Sequence, residues 1–355
     1  MDNQLTNPAI IDCDLHNVVP SFETLRPYLP VHWQELASQS DFKGPPLGNQ
    51  FTAGGPITQK IDPYPEDGRP AGSDLSLLQA QVLDPLGVEY GILTCAYAIE
   101  GMRNPFGAAA FASAINDWQI TEWLEPEPRL RASLVIPTQD PELAAQEIER
   151  LGDHPGFVQV FFPVRTAVPY GNRQYHPIYK AAIEKDLAIG IHFGGEPGAP
   201  PSASGWPSYY IEEYAGMPHI FQSHIISMII EGVFVEFPEL RVALIASGFT
   251  WLPSLMWRLD KEWKGLRREV PWVKNLPSDY MRQHLRMTLQ PVDGPPDPAH
   301  LTQVIEQIGS DDMLMFSTDY PYAHFDSPAE AIPAGIPPNL KPKILSENAR
   351  AFYHL

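Results

Sequence analysis

Three short segments of the sequence carry carboxylate and imidazole groups next to apolar runs. They read Asp12-Cys13-Asp14-Leu15-His16, Ile191-His192-Phe193-Gly194 and Ser317-Thr318-Asp319-Tyr320-Pro321. Carboxylate oxygens and imidazole nitrogens together suit a divalent ion, and such a set leaves a coordination position for water or substrate. If the segments converge, they hold one divalent metal ion, with Zn the first choice and Mn or Fe the alternatives. The predicted ligands are Asp14, His16, His192 and Asp319.

Each segment also has an ordinary structural explanation when it is taken alone. A histidine on an apolar strand, such as His192, is commonly a hydrogen-bonded core residue, and an aspartate before Tyr-Pro, such as Asp319, is commonly a turn residue. The spacing Asp14-x-His16 is by itself a weak signal. The metal hypothesis therefore depends on the elements that would bring the three segments together.

Eight strand-like runs alternate with segments of helical period along the chain. The predicted strands are Ala9–His16, Glu89–Ala96, Leu130–Pro137, Phe157–Val164, Ala188–Gly195, Leu240–Ser247, Leu285–Val292 and Met313–Asp319. The predicted helices are Pro105–Leu124, Pro141–Leu151, His176–Asp186, His219–Phe237, Leu255–Trp263, Pro298–Ile308 and Lys343–Tyr353. This alternation predicts an α/β fold, a closed (β/α)₈ TIM barrel that spans residues 1–355 as a single domain.

The barrel prediction places the chemistry. Active sites of such barrels lie at the C-terminal ends of the strands, where all three segments end. A doubly wound open sheet is the competing architecture, but it needs a glycine-rich turn after the first strand. The chain instead continues from His16 with Asn17-Val18-Val19-Pro20.

Long insertions follow two of the strands. Residues 17–75 form a predicted flap over the barrel mouth, anchored by Trp33, Phe42, Phe51 and Tyr64, and residues 194–210 form a predicted second lid. Proline is abundant in these connections and makes up 39 of the 355 residues. This proline content indicates stiffened loops around a barrel, since the apolar fraction of 44% argues against global disorder.

The composition excludes several classes of partner. The formal net charge is −19 and no long basic run is present, so no nucleic-acid partner is expected. No leader-like segment and no apolar stretch of membrane-spanning length is found, which predicts a cytoplasmic protein without a membrane partner. Cys13 and Cys95 are too few for a disulfide framework and are expected to be buried free thiols.

The three segments resemble those of the amidohydrolase superfamily, in the branch related to aminocarboxymuconate-semialdehyde decarboxylase. The similarity covers almost the whole chain and includes Glu231-Gly232-Val233-Phe234, Trp251-Leu252-Pro253, residues 257–263 and residues 346–353. The resemblance implies that Asp14 and His16 are the ligands of the first strand and His192 that of the fifth. It also implies that Asp319 is a ligand or a general base.

The resemblance further implies a metal-dependent decarboxylase, a C–C lyase, or a hydrolase of a small carboxylated substrate. In such decarboxylases the metal chelates the substrate carboxylate and a neighbouring oxygen, a strand-six histidine helps to move the proton, and CO₂ leaves. Relatives have His or Glu where this chain has Ala246, so the usual acid–base group is missing. His219 is a weak substitute. Weak candidates for substrate binding are Arg173, Gln290, Tyr322 and His324.

Two other functions stay open. Some relatives are subunits of dinuclear-metal monooxygenases of the 2-aminoisobutyrate hydroxylase type. No carboxylate closely follows His16 and position 246 is alanine, so this chain would be the supporting partner with one metal. A homodimer, or a heterodimer with a paralogous barrel, is expected accordingly. The remaining possibility is a degenerate barrel that binds a ligand without catalysis.

Overall fold

Eight parallel strands pair with one another in the order of the chain, from β1 to β8. The computed structural model describes residues 9–42, 44–45, 64–195, 204–322 and 331–355. The strands are β1 Ile10–His16, β2 Val88–Thr94, β3 Leu130–Leu134, β4 Phe157–Arg165, β5 Ala188–Gly195, β6 Val242–Leu244, β7 Leu285–Thr288 and β8 Leu314–Met315.

The seam between β1 and the chain after β8 is joined by backbone hydrogen bonds. The N–H of Cys13 donates to the carbonyl of Phe316 at 2.9 Å, and the N–H of His16 donates to the carbonyl of Tyr320 at 2.8 Å. In the opposite direction, the N–H of Asp319 donates to the carbonyl of Asp14 at 3.1 Å. These bonds close the sheet, and the predicted (β/α)₈ barrel is confirmed.

Helices occupy the connections between the strands. They are α1 Phe22–Leu25, α2 Val31–Gln39, α3 Leu75–Leu78, α4 Asp84–Leu86, α5 Pro105–Gln119, α6 Pro141–Leu151, α7 His176–Glu184, α8 Tyr210–Ile230, α9 Val233–Glu236, α10 Leu252–Leu266, α11 Pro277–His284, α12 Pro298–Ile308 and α13 Asn348–Tyr353. Local chemistry explains where several begin. Asn104, Asp140 and Asp297 accept hydrogen bonds from N–H groups of the first turn of α5, α6 and α12, and each of these helices starts with proline. No helix within the described ranges is both long and apolar enough to cross a membrane.

Strands β6 and β8 are shorter than the sequence predicts. After β8, the N–H of Phe316 donates to the carbonyl of Ile344 at 2.8 Å. The pairing of β8 with β7 therefore ends at Met315. After β6, Ala246 adopts a left-handed backbone with φ of 54°, and its N–H donates to Thr288 Oγ1 at 2.9 Å. Asp319 therefore lies in a loop beyond β8, where the prediction placed it at a strand end.

Helix α8 also differs from the prediction, because it begins at Tyr210 rather than at His219. Its first turn is stabilised by the Glu212 carboxylate, which accepts hydrogen bonds from the N–H groups of Ser208 and Tyr209. Pro218 consequently lies inside the helix rather than at its start. The segment predicted as a second lid thus ends in helix, and its residues 196–203 lie outside the described residues.

The first part of the predicted flap packs against the side of the barrel. It contains helices α1 and α2, and the rings of Phe22 and Phe42 lie 6.2 and 5.9 Å from that of Phe111 in α5. Trp33 in turn lies 6.1 Å from Phe42. Residue 43 and residues 46–63, including the predicted anchor Phe51, lie outside the described residues.

Candidate metal centre

The barrel brings the four predicted ligands together. One donor atom from each of Asp14, His16, His192 and Asp319 lies within 4.8 Å of all the others, and all four residues are buried. His16 Nε2 lies 3.1 Å from Asp319 Oδ1 and 3.6 Å from Asp14 Oδ1. His192 Nε2 lies 3.6 Å from Asp14 Oδ2. Two carboxylates and two imidazoles thus converge at one point, although they come from three segments that are far apart in the chain.

Three separate elements position these side chains. Asp14 and His16 stand two residues apart in β1, so they share one face of the strand. His192 is in β5, across the barrel from β1. Asp319 reaches the cluster from the loop after β8, where its backbone is left-handed with φ of 58°. This conformation is uncommon for a residue other than glycine, and such strain is concentrated at functional sites.

The donor atoms of the cluster fit a metal ion. Among the described residues, Asp14 Oδ1, Asp14 Oδ2 and His192 Nε2 are buried without a hydrogen-bond partner. A buried carboxylate oxygen without a hydrogen-bond partner costs free energy, and a bound cation compensates for that cost. Ligands at about 2.0–2.2 Å from an ion lie about 3–4.4 Å apart, and the measured 3.1 and 3.6 Å fall in that range.

The histidine of β5 is oriented for coordination. Its Nδ1 lies 2.8 Å from the carbonyl of Phe193, so a proton on Nδ1 would leave the Nε2 lone pair facing Asp14. Burial alone lowers the pKa of His192, but the negative charges of Asp14 and Asp319 outweigh burial and raise it. In the metal-free chain this histidine therefore holds a proton more tightly than usual, and a metal ion must displace that proton.

The residues predicted to bind substrate have different positions in the structure. Tyr322 lies beside the cluster, since its ring is perpendicular to that of His16 at 5.3 Å. Burial, and then the charge of Asp319, raises the pKa of Tyr322 to about 12, so its hydroxyl keeps its proton. Gln290 is buried, and its side-chain amide donates to the carbonyl of Ala331 at 3.1 Å, which indicates a structural role.

Other candidates are not brought to the cluster. Arg173 is exposed at the start of a short helical turn, Arg173–Tyr175, after β4. His219 is exposed within α8, with Nδ1 3.2 Å from the carbonyl of Gly216, because α8 starts earlier than predicted. His324 lies outside the described residues.

The sequence analysis missed a group of residues around the mouth. Arg165, the last residue of β4, pairs with Glu213 of α8, and its guanidinium lies 5.6 Å from the centre of the Phe193 ring. Burial and the charge of Asp319 raise the pKa of Tyr214, also on α8. A charged residue at the C-terminal end of an apolar strand was the available signal for Arg165, whereas Glu213 and Tyr214 required the correct start of α8.

Ala246 leaves β6 without an acid–base side chain, as the sequence indicates. In the loop after β6, Gly248 lies against the Asp293 carboxylate: a Cβ built on Gly248 would lie 2.2 Å from Asp293 Oδ2. Asp293 is exposed and follows β7. Asp319, in contact with His16, is the carboxylate for which the resemblance implies a role as ligand or as base.

The chain is similar to several decarboxylases in sequence and in fold. A gamma-resorcylate decarboxylase from Polaromonas sp. (strain JS666) is 26% identical over 273 residues, which cover 72% of this chain and 80% of that protein. The crystal structure of 5-carboxyvanillate decarboxylase from Sphingomonas paucimobilis has a TM-score of 0.72 at 23% identity and covers 98% of this chain and 99% of that one.

A third relative was solved with a metal. The dihydroxybenzoic acid decarboxylase of Polaromonas sp. JS666, with bound manganese and the inhibitor 2-nitroresorcinol, has a TM-score of 0.67 at 24% identity, with 98% of this chain and 97% of that one covered. The sequence model of the amidohydrolase family matches residues 11–355. The match covers all four candidate ligands, and the chain belongs to the amidohydrolase family.

Proposed function

We propose that this chain is a metal-dependent decarboxylase, a C–C lyase that removes CO₂ from a small aromatic carboxylic acid with an oxygen substituent beside the carboxyl group. The observation that carries the proposal is the buried convergence of Asp14, His16, His192 and Asp319 at a barrel mouth. The relatives support the reaction class, since gamma-resorcylate decarboxylase and 5-carboxyvanillate decarboxylase act on carboxylated phenols by name.

The four ligand residues would hold one divalent ion. When bound, the ion supplies positive charge that fixes the substrate carboxylate and its neighbouring oxygen and stabilises negative charge as it develops. Asp14, His16 and His192 serve only to hold it, since their donor atoms already face one another. Tyr322, whose ring lies against His16, borders the space where the aromatic substrate would lie.

Asp319 is the residue we propose as proton carrier. Decarboxylation breaks the bond between the ring carbon and the carboxyl carbon, the electron pair stays on the ring, and a proton must reach that carbon as CO₂ leaves. Ala246 cannot deliver it, whereas the Asp319 carboxyl group lies at the cluster, is 5% exposed, and would take up a proton from solvent and pass it to the ring carbon. A buried carboxyl group beside the reacting carbon is suited to this transfer.

Manganese is the ion we propose to test first. The donor set of two carboxylates and two imidazoles accommodates Mn, Fe or Zn. The solved dihydroxybenzoic acid decarboxylase contains manganese, which supports Mn over the Zn that the sequence analysis favours. A role as the supporting subunit of a monooxygenase has no support from the relatives described above, whose names are those of decarboxylases.

The decisive experiment measures CO₂ release. The purified chain is stripped with a chelator, reloaded with one equivalent of Mn, Zn or Fe, and supplied with 2,6-dihydroxybenzoate, 5-carboxyvanillate, salicylate and benzoate. Turnover of an ortho-hydroxylated acid but not of benzoate is expected, and the chelated chain should be inactive. Bound metal without CO₂ release from any acid in the panel would refute the proposal. For the assembly we propose a homodimer or a heterodimer with a paralogous barrel, and size measurement of the same sample tests whether the chain forms a dimer alone.

A further inference from the structure

Asp12 lies beneath the metal centre and links the two chain segments that carry three of its ligands. Its carboxylate is fully buried. Asp12 Oδ1 accepts hydrogen bonds from the N–H of Asp14 at 3.2 Å and from the N–H of Thr318 at 3.1 Å. Asp12 Oδ2 accepts a hydrogen bond from Thr318 Oγ1 at 2.7 Å. One side chain of β1 therefore grips the residue directly before Asp319.

The loop that Asp12 contacts lies beyond the regular strand pairing of β8 and is joined to β1 by individual hydrogen bonds. Strand β8 ends at Met315, and beyond it the chain contacts β1 through the backbone bonds of the seam described above and the isolated bridge between Leu15 and Tyr320. Between these points the chain must turn through the left-handed backbone of Asp319. Two of the three bonds to Asp12, those from the N–H and the hydroxyl of Thr318, fall in this interval and add side-chain links to the backbone bonds of the seam.

The same bonds determine how the ligands face one another. Asp14 is held at its N–H by Asp12 and at its carbonyl by the N–H of Asp319. Thr318 is held through both its backbone and its hydroxyl. The 3.1 Å distance between His16 Nε2 and Asp319 Oδ1 thus spans a seam whose two sides are joined by the Asp12 carboxylate.

We propose that Asp12 is a positioning residue for metal binding: it locks the seam between β1 and the loop after β8, and so sets the distance of Asp319 from Asp14 and His16. Asp12 is not proposed as a ligand, because both of its carboxylate oxygens already accept hydrogen bonds from Asp14 or Thr318. The inference rests on the metal centre of the proposed function. It adds that the affinity for the ion depends on a residue that does not bind it.

Variants of Asp12 and of its partner Thr318 separate this positioning role from an effect on overall stability. Asp12→Ala removes all three bonds, and Thr318→Val removes only the bond from the hydroxyl. Asp12→Asn keeps Oδ1 as acceptor for the two N–H groups, and its amide can donate to a Thr318 hydroxyl that turns round. Ser133→Ala is the matched control, since Ser133 is a buried polar residue of β3 that hydrogen-bonds Gln159 and the carbonyl of Leu93 within the barrel.

The readout is metal affinity of the full chain, measured calorimetrically with MnCl₂ and ZnCl₂ at a temperature where each variant gives the circular dichroism spectrum of the unaltered protein. Loss of supporting residues around a metal typically costs about 10–100-fold in affinity. We expect this loss for Asp12→Ala, about tenfold for Thr318→Val, and at most about threefold for Asp12→Asn. Ser133→Ala should lower the unfolding temperature and leave the dissociation constant unchanged.

The outcomes are distinguishable. Equal metal affinity of Thr318→Val and the unaltered chain, with Asp12→Ala either equal or unfolded, would overturn the positioning role while the metal centre stands. The same loss of affinity in Ser133→Ala as in Asp12→Ala would also overturn it, because stability alone would then explain the effect. If the unaltered chain binds neither ion, both the metal centre and the role of Asp12 are wrong.

Discussion

Arg165 at the end of β4 and Glu213 in α8 form an ion pair inside the protein, with Nη1 and Oε1 3.0 Å apart. Their side chains are only 3% and 1% exposed. Burial lowers the pKa of Arg165, and the charge of Glu213 acts in the opposite direction. The pair therefore fastens the helix that carries Tyr214 to the strand next to β5, which holds His192.

Breaking this pair should destabilise the protein strongly. Glu213→Ala leaves the Arg165 guanidinium buried without its carboxylate, which typically costs about 3–5 kcal/mol. Denaturant unfolding of the two proteins measures the difference. Lys180 and Glu184 form an exposed pair at 3.9 Å, so Glu184→Ala is the control and should change the stability by less than about 1 kcal/mol. Equal effects of the two substitutions would contradict the buried-pair assignment.

Removal of His192 should abolish metal binding. Its Nε2 faces Asp14 Oδ2 at 3.6 Å, so His192→Ala deletes one of the four donors. We expect metal content after dialysis to fall from one equivalent to below about one tenth, together with activity, since second-sphere losses alone reach 100-fold. Elemental analysis provides the measurement. His219 is an exposed histidine of α8, so the control variant His219→Ala should keep both its metal and its activity. Full metal occupancy in His192→Ala would show that the ligand assignment is wrong.

Glu100 predicts a stability that falls as the pH rises. Burial raises its pKa to about 7 from 4.5, and its Oε2 has no hydrogen-bond partner among the described residues. The folded protein therefore holds this proton more tightly than the unfolded chain. The advantage is complete below pH 4.5 and is lost between pH 4.5 and 7.

Glu100→Gln should remove this dependence. At pH 8 the unaltered protein buries a charged carboxylate, so the variant should be more stable by up to about 3 kcal/mol, whereas at pH 5 the difference should be small. Urea unfolding at the two pH values gives both numbers. Glu149→Gln, at an exposed position of α6, is the control and should show no such pH dependence. If the difference in stability between Glu100→Gln and the unaltered protein is the same at pH 8 as at pH 5, the assignment of a raised pKa to the buried Glu100 is wrong.

Tyr322 should contribute to substrate binding through its hydroxyl. Tyr322→Phe keeps the ring against His16 and removes one hydrogen-bonding group, which is worth about 1 kcal/mol. The KM for 2,6-dihydroxybenzoate should therefore rise about fivefold to tenfold, with unchanged metal affinity. Steady-state kinetics and metal titration of the same preparations test this. Tyr322→Leu also loses the ring contact with His16, so its KM should rise further than that of Tyr322→Phe. Equal KM values in the unaltered protein and both variants would show that Tyr322 does not contact the substrate.

Local patterns carried much of the prediction. Each strand core and each helix with its capping residue is a property of a short stretch of chain, so β1, β5, α6 and α12 were predicted closely. The ends of β6 and β8 were not, because they depend on hydrogen bonds to distant partners. Phe316 bonds to Ile344 and Ala246 to Thr288, and no local pattern specifies either bond.

The candidate ligands could be named from the sequence alone, since the sequence predicts their carboxylate and imidazole groups at the mouth of a barrel and these groups suit a divalent ion. What only the tertiary structure decided is how these groups are held and what surrounds them. The left-handed backbone of Asp319 depends on the closed barrel. Two contacts join residues that are remote in sequence: the hydrogen bond from Thr318 to Asp12 and the buried ion pair of Arg165 with Glu213. Such contacts form only when the barrel closes, because closure brings these segments together and buries their polar groups, which strengthens the hydrogen bonds and ion pairs between them.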